Sequence, residues 1–564
     1  MPRKRSNRDT RDTRKAFGWL FLWLALLLYP AGCEKQSADP RARDVDARLS
    51  RLEQVAMHVD ARSLPPRQKE VLKALVDATR LIHEAFLHQF YPPGIALRDS
   101  LAKRDDDLSK KLYRLVVRNG GPFDKMDQYT NFFDATPRPL GAAVYPSDLT
   151  KREFEAYVAA HPGQKDALMS PYTAIRREGG ILRAVPYHEV YREWIGPAAG
   201  LLAKAASLAD NPSFKKYIAG RADALLSDEY FAADTDWINL KGSDIDFYIS
   251  PYEVYEDHLM GIKAFYDGSV GIVDSVESAK LQKYTSCLDE LERSLPYDGK
   301  YKRTRKGLSS PMIVLNEVAR GGALSTGYQA VASTLPNDPK VTSVKGTKKV
   351  FWKNVMDARV TRVIEPIGRA LLASDQVPYV TAQAVLDLTT MHELCHALGP
   401  KYVFGSGDSV SVNQALKELY TPIEEGKATL AGFHSITYLE GRGIMGKEME
   451  YDVSYLAVLF RTIRFGTAEA HSKAAICQLN FIRDRGGIRL DPVTKKWSVN
   501  PEKLRPAISE MAGLWLTFEA TGDYKGVAEF FGRWSPMPRD VQEGLENLRG
   551  LPVDIEPVYS IQWE

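Results

Sequence analysis

Cysteine is scarce in this sequence, and the few cysteines do not form a pairing pattern. Cys33 lies near the N-terminus, whereas Cys287, Cys395 and Cys477 are far apart and lack C-x-x-C spacing. A disulfide framework is therefore not indicated as the source of stability. The last three are an odd number, so at least one of them is expected to be a free thiol.

An excess of charge of one sign is also missing. The chain has 75 lysines and arginines against 72 aspartates and glutamates. Seven of the basic residues and two of the acidic ones precede residue 33, so the remainder is close to neutral. Without a basic field, nucleic acid is excluded as a partner. With 564 residues, 44% of them hydrophobic, the chain is expected to fold as several domains or two large lobes.

The N-terminus carries the pattern of an export signal. A basic segment is followed by the uncharged apolar residues 16–31, which are too few for a comfortable bilayer span. The stretch ends in Pro30-Ala31-Gly32-Cys33, which resembles a bacterial lipobox. We therefore predict a signal peptide over residues 1–33 and lipidation of Cys33. The alternative is an uncleaved N-terminal anchor helix.

This pattern places the protein in the bacterial cell envelope, held to the membrane by the lipid anchor only. Glu34 follows the cysteine where an aspartate would retain a lipoprotein at the inner membrane. The expected location is thus the outer membrane, facing the periplasm. The polar segment that follows is predicted to be a tether over residues 34–60.

Helical periodicity dominates the rest of the chain, so the expected fold class is α+β, mostly helical, with two lobes around a cleft. One aromatic and β-branched segment, residues 245–256, is typical of a strand. Residues 310–352 are expected to form short strands and loops. The predicted helices cover residues 151–161, 188–208, 212–228, 257–293, 353–372, 380–398, 410–440, 447–464 and 467–484.

The segment His392-Glu393-Leu394-Cys395-His396 carries the chemistry. On a helix, two histidines four residues apart lie on one face and can bind one tetrahedral zinc ion. Glu393 can then act as general base on a zinc-bound water. Thr381 is a candidate N-cap, and Gly399-Pro400 ends the helix. Cys395 points away from the histidines and is expected to be a packed core thiol.

A catalytic zinc needs a third protein ligand, and two candidates lie in the following helix. One is the pair Glu424-Glu425, and the other is Glu418. Thr421-Pro422-Ile423-Glu424 also matches a capping box, which would explain Glu424 without a metal. Glu424 could equally accept the outer N–H of a histidine ligand.

The segments H-E-L-C-H-A-L-G-P and I-E-E-G-K-A together resemble the dipeptidyl peptidase III family of zinc peptidases. The resemblance is to the shorter H-E-x-x-H branch of bacteria and plant Nudix-fusion proteins. It implies one zinc per chain, bound by His392, His396 and Glu425, with Glu424 orienting a histidine. Thr429 stands where the family has an acid. Affinity order alone does not select zinc over other first-row metals.

Further segments carry the same resemblance. Residues 245–257 resemble a family strand whose tyrosine, here Tyr248, polarises the scissile carbonyl, with Asp246 as a substrate-binding residue. Thr334-Leu335-Pro336-Asn337 resembles a substrate-binding turn, of which only Asn337 matches. His471 matches a histidine that stabilises the transition state.

The expected domains follow from these assignments. An N-terminal lobe is predicted over 61–256, and a helical zinc-binding lobe over 257–310 and 350–550. Residues 311–349 return to the N-terminal lobe, and 551–564 form a C-terminal tail.

The resemblance implies a metallopeptidase that releases dipeptides from the N-termini of short peptides. Two alternatives remain open: a non-catalytic zinc-containing envelope lipoprotein that captures peptides, and a zinc amidohydrolase acting on a non-peptide substrate. Oligomeric state is not indicated by the sequence.

Overall fold

A computed structural model describes residues 39–302, 311–407, 410–446, 448–466 and 469–564. The predicted signal peptide and Cys33 lie outside these residues. Within them the fold is mostly helical with a smaller amount of sheet, which confirms the α+β class. No described helix is long and apolar enough to cross a membrane.

The N-terminal part of the chain is built from helices and short strand pairs. Its elements are α1 Pro40–Ser50, β1 Leu52–Asp60, α2 Pro66–Phe90, α3 Pro92–Leu101, α4 Asp107–Asn119, β2 Phe123–Asp124, β3 Thr130–Asn131, α5 Lys151–Ala160, α6 Lys165–Met169, β4 Thr173–Glu178, β5 Ile181–Pro186, α7 Tyr187–Val190, α8 Arg192–Leu208, α9 Pro212–Ser227 and α10 Phe231–Ile238.

The middle of the chain supplies a five-stranded sheet. Its segment contains β6 Ile245–Glu253, β7 Phe265–Val273, α11 Ser275–Ser286, α12 Leu288–Ser294, β8 Met312–Gly322, β9 Ala332–Leu335, α13 Pro339–Lys345 and β10 Lys348–Trp352. The strand order is β6-β7-β8-β10-β9. Within this sheet only the β8–β10 pair is parallel, and β9 lies at one edge.

The C-terminal part is helical and ends in a strand. It contains α14 Lys353–Arg359, α15 Glu365–Leu371, α16 Ala382–Cys395, α17 Val412–Leu416, α18 Tyr420–Gly441, α19 Glu448–Ile463, α20 Ala470–Asp484, β11 Ile488–Leu490, β12 Trp497–Val499, α21 Pro501–Thr521, α22 Tyr524–Trp534, α23 Arg539–Glu546 and β13 Asp554–Gln562. A π-helical turn, Val360–Ile364, connects α14 to α15.

The two lobes bury apolar faces at helical spacing. In the N-terminal lobe, α2 begins with Pro66 and buries Val71, Leu75, Ile82 and Phe86 against α8 and the sheet. In the helical lobe, α18 lies between α16, α20 and α21. Most of the buried apolar side chains form one continuous core, so the sheet and the helical lobe are packed together rather than loosely linked.

The predicted tether and C-terminal tail require correction. Residues 40–60 fold as α1 and β1, because Asp39 caps α1 and β1 finds a partner at the far end of the chain. That partner is β13, which pairs in parallel with β1 from Leu52–Asp554 to Asp60–Gln562. Residues 554–562 are therefore a strand and not a free tail.

The predicted lobe boundary at residue 257 is also corrected. A helix was expected over 257–293, but β7 occupies residues 265–273 and pairs with β6 and β8. The apolar and β-branched side chains of β7 are buried on both faces, which hides the alternation that marks a strand. The segment 311–349, expected to return to the N-terminal lobe, does supply β8, β9 and part of β10 to this sheet.

Candidate functional site

The H-E-x-x-H segment forms the last turn of α16, as the sequence predicted. The Thr381 side chain accepts a hydrogen bond from the Ala384 amide and so caps the N-terminus. At the other end, Gly399 adopts a φ of +79° that ends the helical path. The Nε2 atoms of His392 and His396 lie 3.1 Å apart, because residues four apart share a helix face.

The neighbouring helix α18 brings Glu425 to the same point. Its Oε2 lies 3.4 Å from His392 Nε2 and 3.5 Å from His396 Nε2. The rival Glu418 is turned elsewhere and accepts a hydrogen bond from the Tyr524 hydroxyl. The capping-box interpretation of Glu424 is corrected, because α18 begins at Tyr420 and its first turn has no side-chain cap.

These three donor atoms fit a zinc ion. Zinc binds imidazole nitrogen and carboxylate oxygen at about 2.0–2.2 Å in a tetrahedron, so its ligand atoms are separated by about 3.4 Å. The three separations found here are 3.1, 3.4 and 3.5 Å. His392, His396 and Glu425 are also the group of described residues whose donor atoms lie close enough to hold a metal.

The outer nitrogens of both histidines have partners that orient the rings. His392 Nδ1 lies 3.0 Å from the Thr429 hydroxyl oxygen, and that hydroxyl donates to the Glu425 carbonyl. His396 Nδ1 lies 2.9 Å from Glu424 Oε1, as predicted for Glu424. Such partners fix the tautomer that leaves Nε2 available to a metal. Thr429 could have been found from its place one turn after Glu425.

The buried Lys427 holds Glu424 in place beside His396. Lys427 is fully buried, and its Nζ donates to Glu424 Oε1 and to the carbonyls of Cys395 and Leu398. Burial would raise the pKa of Glu424, but Lys427 and His396 hold that pKa well below its usual range. The carboxylate therefore stays charged and can accept the N–H of His396. Cys395 is buried, as expected for a core thiol.

His471 reaches the same centre from the start of α20. Its Nε2 lies 3.0 Å from Glu425 Oε2, and its Nδ1 lies 2.7 Å from Glu469 Oε1. Burial alone would lower the pKa of His471, but the two carboxylates raise it to about 10. The two carboxylates therefore favour the protonated form of the imidazole beside the predicted metal ligand.

Glu393 points towards the sheet and contacts one residue of the edge strand β9 and one residue of its neighbour β10. The Thr334 hydroxyl donates to Glu393 Oε2 at 3.1 Å, and Lys349 Nζ lies 3.7 Å from the same oxygen. Burial would raise the pKa of Glu393, but the positive charge of Lys349 gives it a net lowering. Glu393 is therefore an anion at neutral pH, the form that can take up a proton.

A cavity of about 540 Å³ separates the sheet from the end of α16. Glu393 and His396 form one wall, and Tyr248, Asn337 and residues of β9 and β10 form the other. Only 2% of Tyr248 is exposed, and burial raises its pKa well above the ordinary value, so its hydroxyl keeps its proton. The structure thus brings Tyr248 and Asn337 to the cavity that Glu393 faces.

Asp246 is the predicted site residue that the structure places apart from the cavity. Its carboxylate accepts hydrogen bonds from Trp237 Nε1 and Lys348 Nζ, and only 1% of the residue is exposed. Alternation along β6 would put Asp246 and Tyr248 on the same face, but Lys348 and Trp237 enclose the shorter side chain. Its carboxylate is occupied within the fold.

Three other carboxylates line the cavity and were not anticipated as site residues. Glu256 is paired with Lys125 and Arg138, which leaves Glu253 and Asp267. Glu253 and Asp267 belong to β6 and β7, near Tyr248. Burial raises the pKa of both, that of Asp267 to about 8. A raised pKa means that burial disfavours the charged form of a carboxyl group. A cation beside the group offsets this effect, because it stabilises the charged form.

Comparison with solved structures shows the family. The fold superposes on the structure of DPP III from Caldithrix abyssi with a TM-score of 0.89 and 36% identity, covering 92% of this chain and 99% of that one. The chain belongs to the dipeptidyl peptidase III family. Dipeptidyl-peptidase III from Corallococcus sp. strain EGB matches with a TM-score of 0.80 and 32% identity, over 92% and 97% of the two chains.

A curated plant protein is also similar to this chain. Nudix hydrolase 3 of Arabidopsis thaliana is 28% identical over 93% of this chain and 75% of its own length. No family model matches the sequence. The family assignment therefore rests on the solved structures, which cover nearly the whole of this chain's described fold.

Proposed function

We propose that this protein is a zinc-dependent metallopeptidase that releases dipeptides from the free N-termini of short peptides. The observation that carries the proposal is the tetrahedral spacing of His392, His396 and Glu425 beside a cavity that Glu393 also faces. Both solved relatives are named as dipeptidyl peptidase III, which supports peptide hydrolysis as the reaction.

The residues divide the chemistry between them. Zinc, when bound, would polarise the scissile carbonyl and lower the pKa of water to about 7. Glu393, held as an anion, would take the proton of the attacking water and pass it to the departing amine. Tyr248 would donate a hydrogen bond to the oxygen that becomes negative in the transition state, and His471 would do so once its Nε2–H turns from Glu425 towards that oxygen.

Selection of a free N-terminus would come from the sheet side of the cavity. Glu253 and Asp267 are buried acids with raised pKa values, and a substrate ammonium group beside them would favour their charged forms. Asn337 lines the same cavity and could bind the peptide backbone. A peptide bound in this way would present a bond near its N-terminus to Glu393.

The decisive experiment uses pairs of short peptides that differ only in N-terminal acetylation, analysed by mass spectrometry. The proposal predicts loss of two residues from each free peptide and little cleavage of the acetylated ones. Equal cleavage of both would refute amino-terminal selection. Cleavage of non-peptide amides alone would favour the amidohydrolase instead.

A second experiment separates catalysis from capture. Glu393→Gln should keep about one zinc per chain and still bind peptide, while hydrolysis falls by roughly 100-fold or more. Glu425→Ala should lose zinc and activity together. If the unaltered protein holds zinc and binds peptides without cleaving them, the envelope peptide-binding lipoprotein is the better assignment.

We also propose that the protein is anchored through Cys33 in the bacterial outer membrane, facing the periplasm. The support is the lipobox-like sequence before Cys33, with Glu34 after it. Membrane fractionation of cells expressing the full chain and Cys33→Ser would test it. The full chain should sediment with outer membranes, and the variant should be released. Equal distribution of the two would refute lipidation at Cys33.

A further inference from the structure

Strand β10 carries two adjacent buried lysines that serve different carboxylates. Lys348 and Lys349 are 2% and 4% exposed, and neighbouring residues of a strand point to opposite faces. Lys348 is paired with Asp246 inside the N-terminal lobe. Lys349 points to the cavity side, where the nearest acid is Glu393 of α16.

Lys349 acts together with Thr334 of the edge strand. The two residues are directly opposite each other in the β9–β10 register, so their side chains emerge on the same face. Lys349 Nζ donates to Thr334 Oγ1 at 3.0 Å, and the Thr334 hydroxyl donates its proton to Glu393 Oε2 at 3.1 Å. The ammonium, hydroxyl and carboxylate thus form a directed chain from sheet to helix.

The hydrogen bonds from Lys349 to Thr334 and from Thr334 to Glu393 restrain the terminal torsion of Glu393, which would otherwise be free to rotate. The terminal torsion of a glutamate has a broad minimum, so the carboxylate of Glu393 is not oriented by its own rotamer preference. A donor on Oε2 fixes that torsion and turns Oε1 to a defined direction. The hydroxyl of Thr334 is polarised by the ammonium next to it, which strengthens its bond to Glu393.

We infer that Thr334 and Lys349 are positioning residues, which orient Glu393 so that one of its oxygens is aimed at the attacking water. This inference rests on the proposed role of Glu393 as general base. The sheet therefore contributes to the reaction through Glu393 as well as through contacts to the peptide. Contact between the sheet edge and α16 becomes a condition for full activity.

The kinetic test compares removal of each group with its conservative replacement. Thr334→Val keeps the shape but removes the hydroxyl, and Lys349→Met removes the charge. We expect each to lower kcat about tenfold, less than loss of a general base itself, with KM within about twofold of the original. Thr334→Ser and Lys349→Arg should recover most of kcat. Zinc per chain should be the same in all four.

A matched control is available on the same lobe. Lys345 is an exposed lysine of α13, so Lys345→Met changes the net charge as Lys349→Met does. It should leave kcat and KM unchanged. A rise in KM with unchanged kcat in Thr334→Val would overturn the inference, because it would make Thr334 a peptide-binding residue. Unchanged kinetics in both removal variants would overturn it as well.

The contact between Thr334 and Glu393 can also be tested without measuring peptide hydrolysis. A double-mutant cycle in thermal unfolding combines Thr334→Val with Glu393→Ala, and residues in contact give non-additive shifts in Tm. Additive shifts would overturn the inference whatever the activity. If the unaltered protein binds zinc but cleaves no peptide, the proposed function fails, while this cycle still decides whether the sheet orients Glu393.

Discussion

Replacement of Gly432 by alanine should weaken zinc binding through the packing of two helices. Gly432 lies on α18 where it crosses the backbone of α16. A methyl group at this position would lie 2.9 Å from both the His392 nitrogen and the Met391 carbonyl carbon, and 3.1 Å from the Met391 oxygen. Carbon atoms pack at about 3.5–4.0 Å, so the helices must separate by roughly half an ångström.

That separation acts directly on the ligand set. His392 and His396 belong to the end of α16, whereas Glu425 belongs to α18. Metal–ligand distances tolerate about 0.2 Å of change, which is less than the separation that the methyl group requires. We expect zinc affinity to fall by about 10- to 100-fold, as when a supporting partner of a ligand is lost. Overpacking should also cost about 1–3 kcal/mol of unfolding free energy.

The assay is competition for zinc with a chelator, together with thermal unfolding of the metal-free protein. Gly441→Ala is the matched control, since Gly441 ends the same helix and a methyl group there meets nothing within 4 Å. It should keep zinc affinity and gain up to about 1 kcal/mol from helix propensity. Unchanged zinc affinity in Gly432→Ala would refute the argument that this close helix approach sets the ligand geometry.

Three further outcomes follow from single contacts. Thr429→Val removes the partner of His392 Nδ1, so zinc affinity should fall about 10- to 100-fold in chelator competition, and Thr429→Ser should keep it. Burial raises the pKa of Asp387 from 3.8 to about 6. Between these values the unfolded chain has released a proton that the folded chain keeps, so stability is lost as pH rises through 6. In thermal unfolding, Asp387→Asn should therefore be more stable than the original protein at pH 7.5, by at most about 3 kcal/mol. At pH 3.5 the variant should have no such advantage. A gain in stability that is independent of pH would contradict this reasoning. Asp234→Ala leaves the fully buried Arg221 without its carboxylate, which should cost about 3–5 kcal/mol in urea unfolding, and a cost below 1 kcal/mol would show that the pair is not needed.

The local parts of the site were readable from the sequence because they depend on helical spacing. Thr381 caps α16, and the spacing of His392 and His396 places both rings on one face. The strand at residues 245–253 was also anticipated from its aromatic and β-branched composition. In each case the determining residues lie within a few positions of one another. Propensity and periodicity therefore decide the outcome before any tertiary contact forms.

Other parts depended on partners that are remote in sequence. The strand β1 forms only because β13 supplies its hydrogen bonds from about 500 residues away. Asp246 shared a face with Tyr248 by alternation, but the ion pair with Lys348 encloses it. Whether a carboxylate meets a substrate or a buried lysine depends on packing across strands, which no local pattern records.

The sequence by itself determined the chemistry at the centre: two histidines and a glutamate on one helix end, with Glu425 as the third candidate ligand. The tertiary structure decided how those groups are held. It brought Thr429 to His392, Glu424 to His396 and the Thr334–Lys349 pair to Glu393. The physical reason is range: helical spacing acts over four residues, whereas the orientation of each catalytic group is set by side chains on other elements that meet it only after folding.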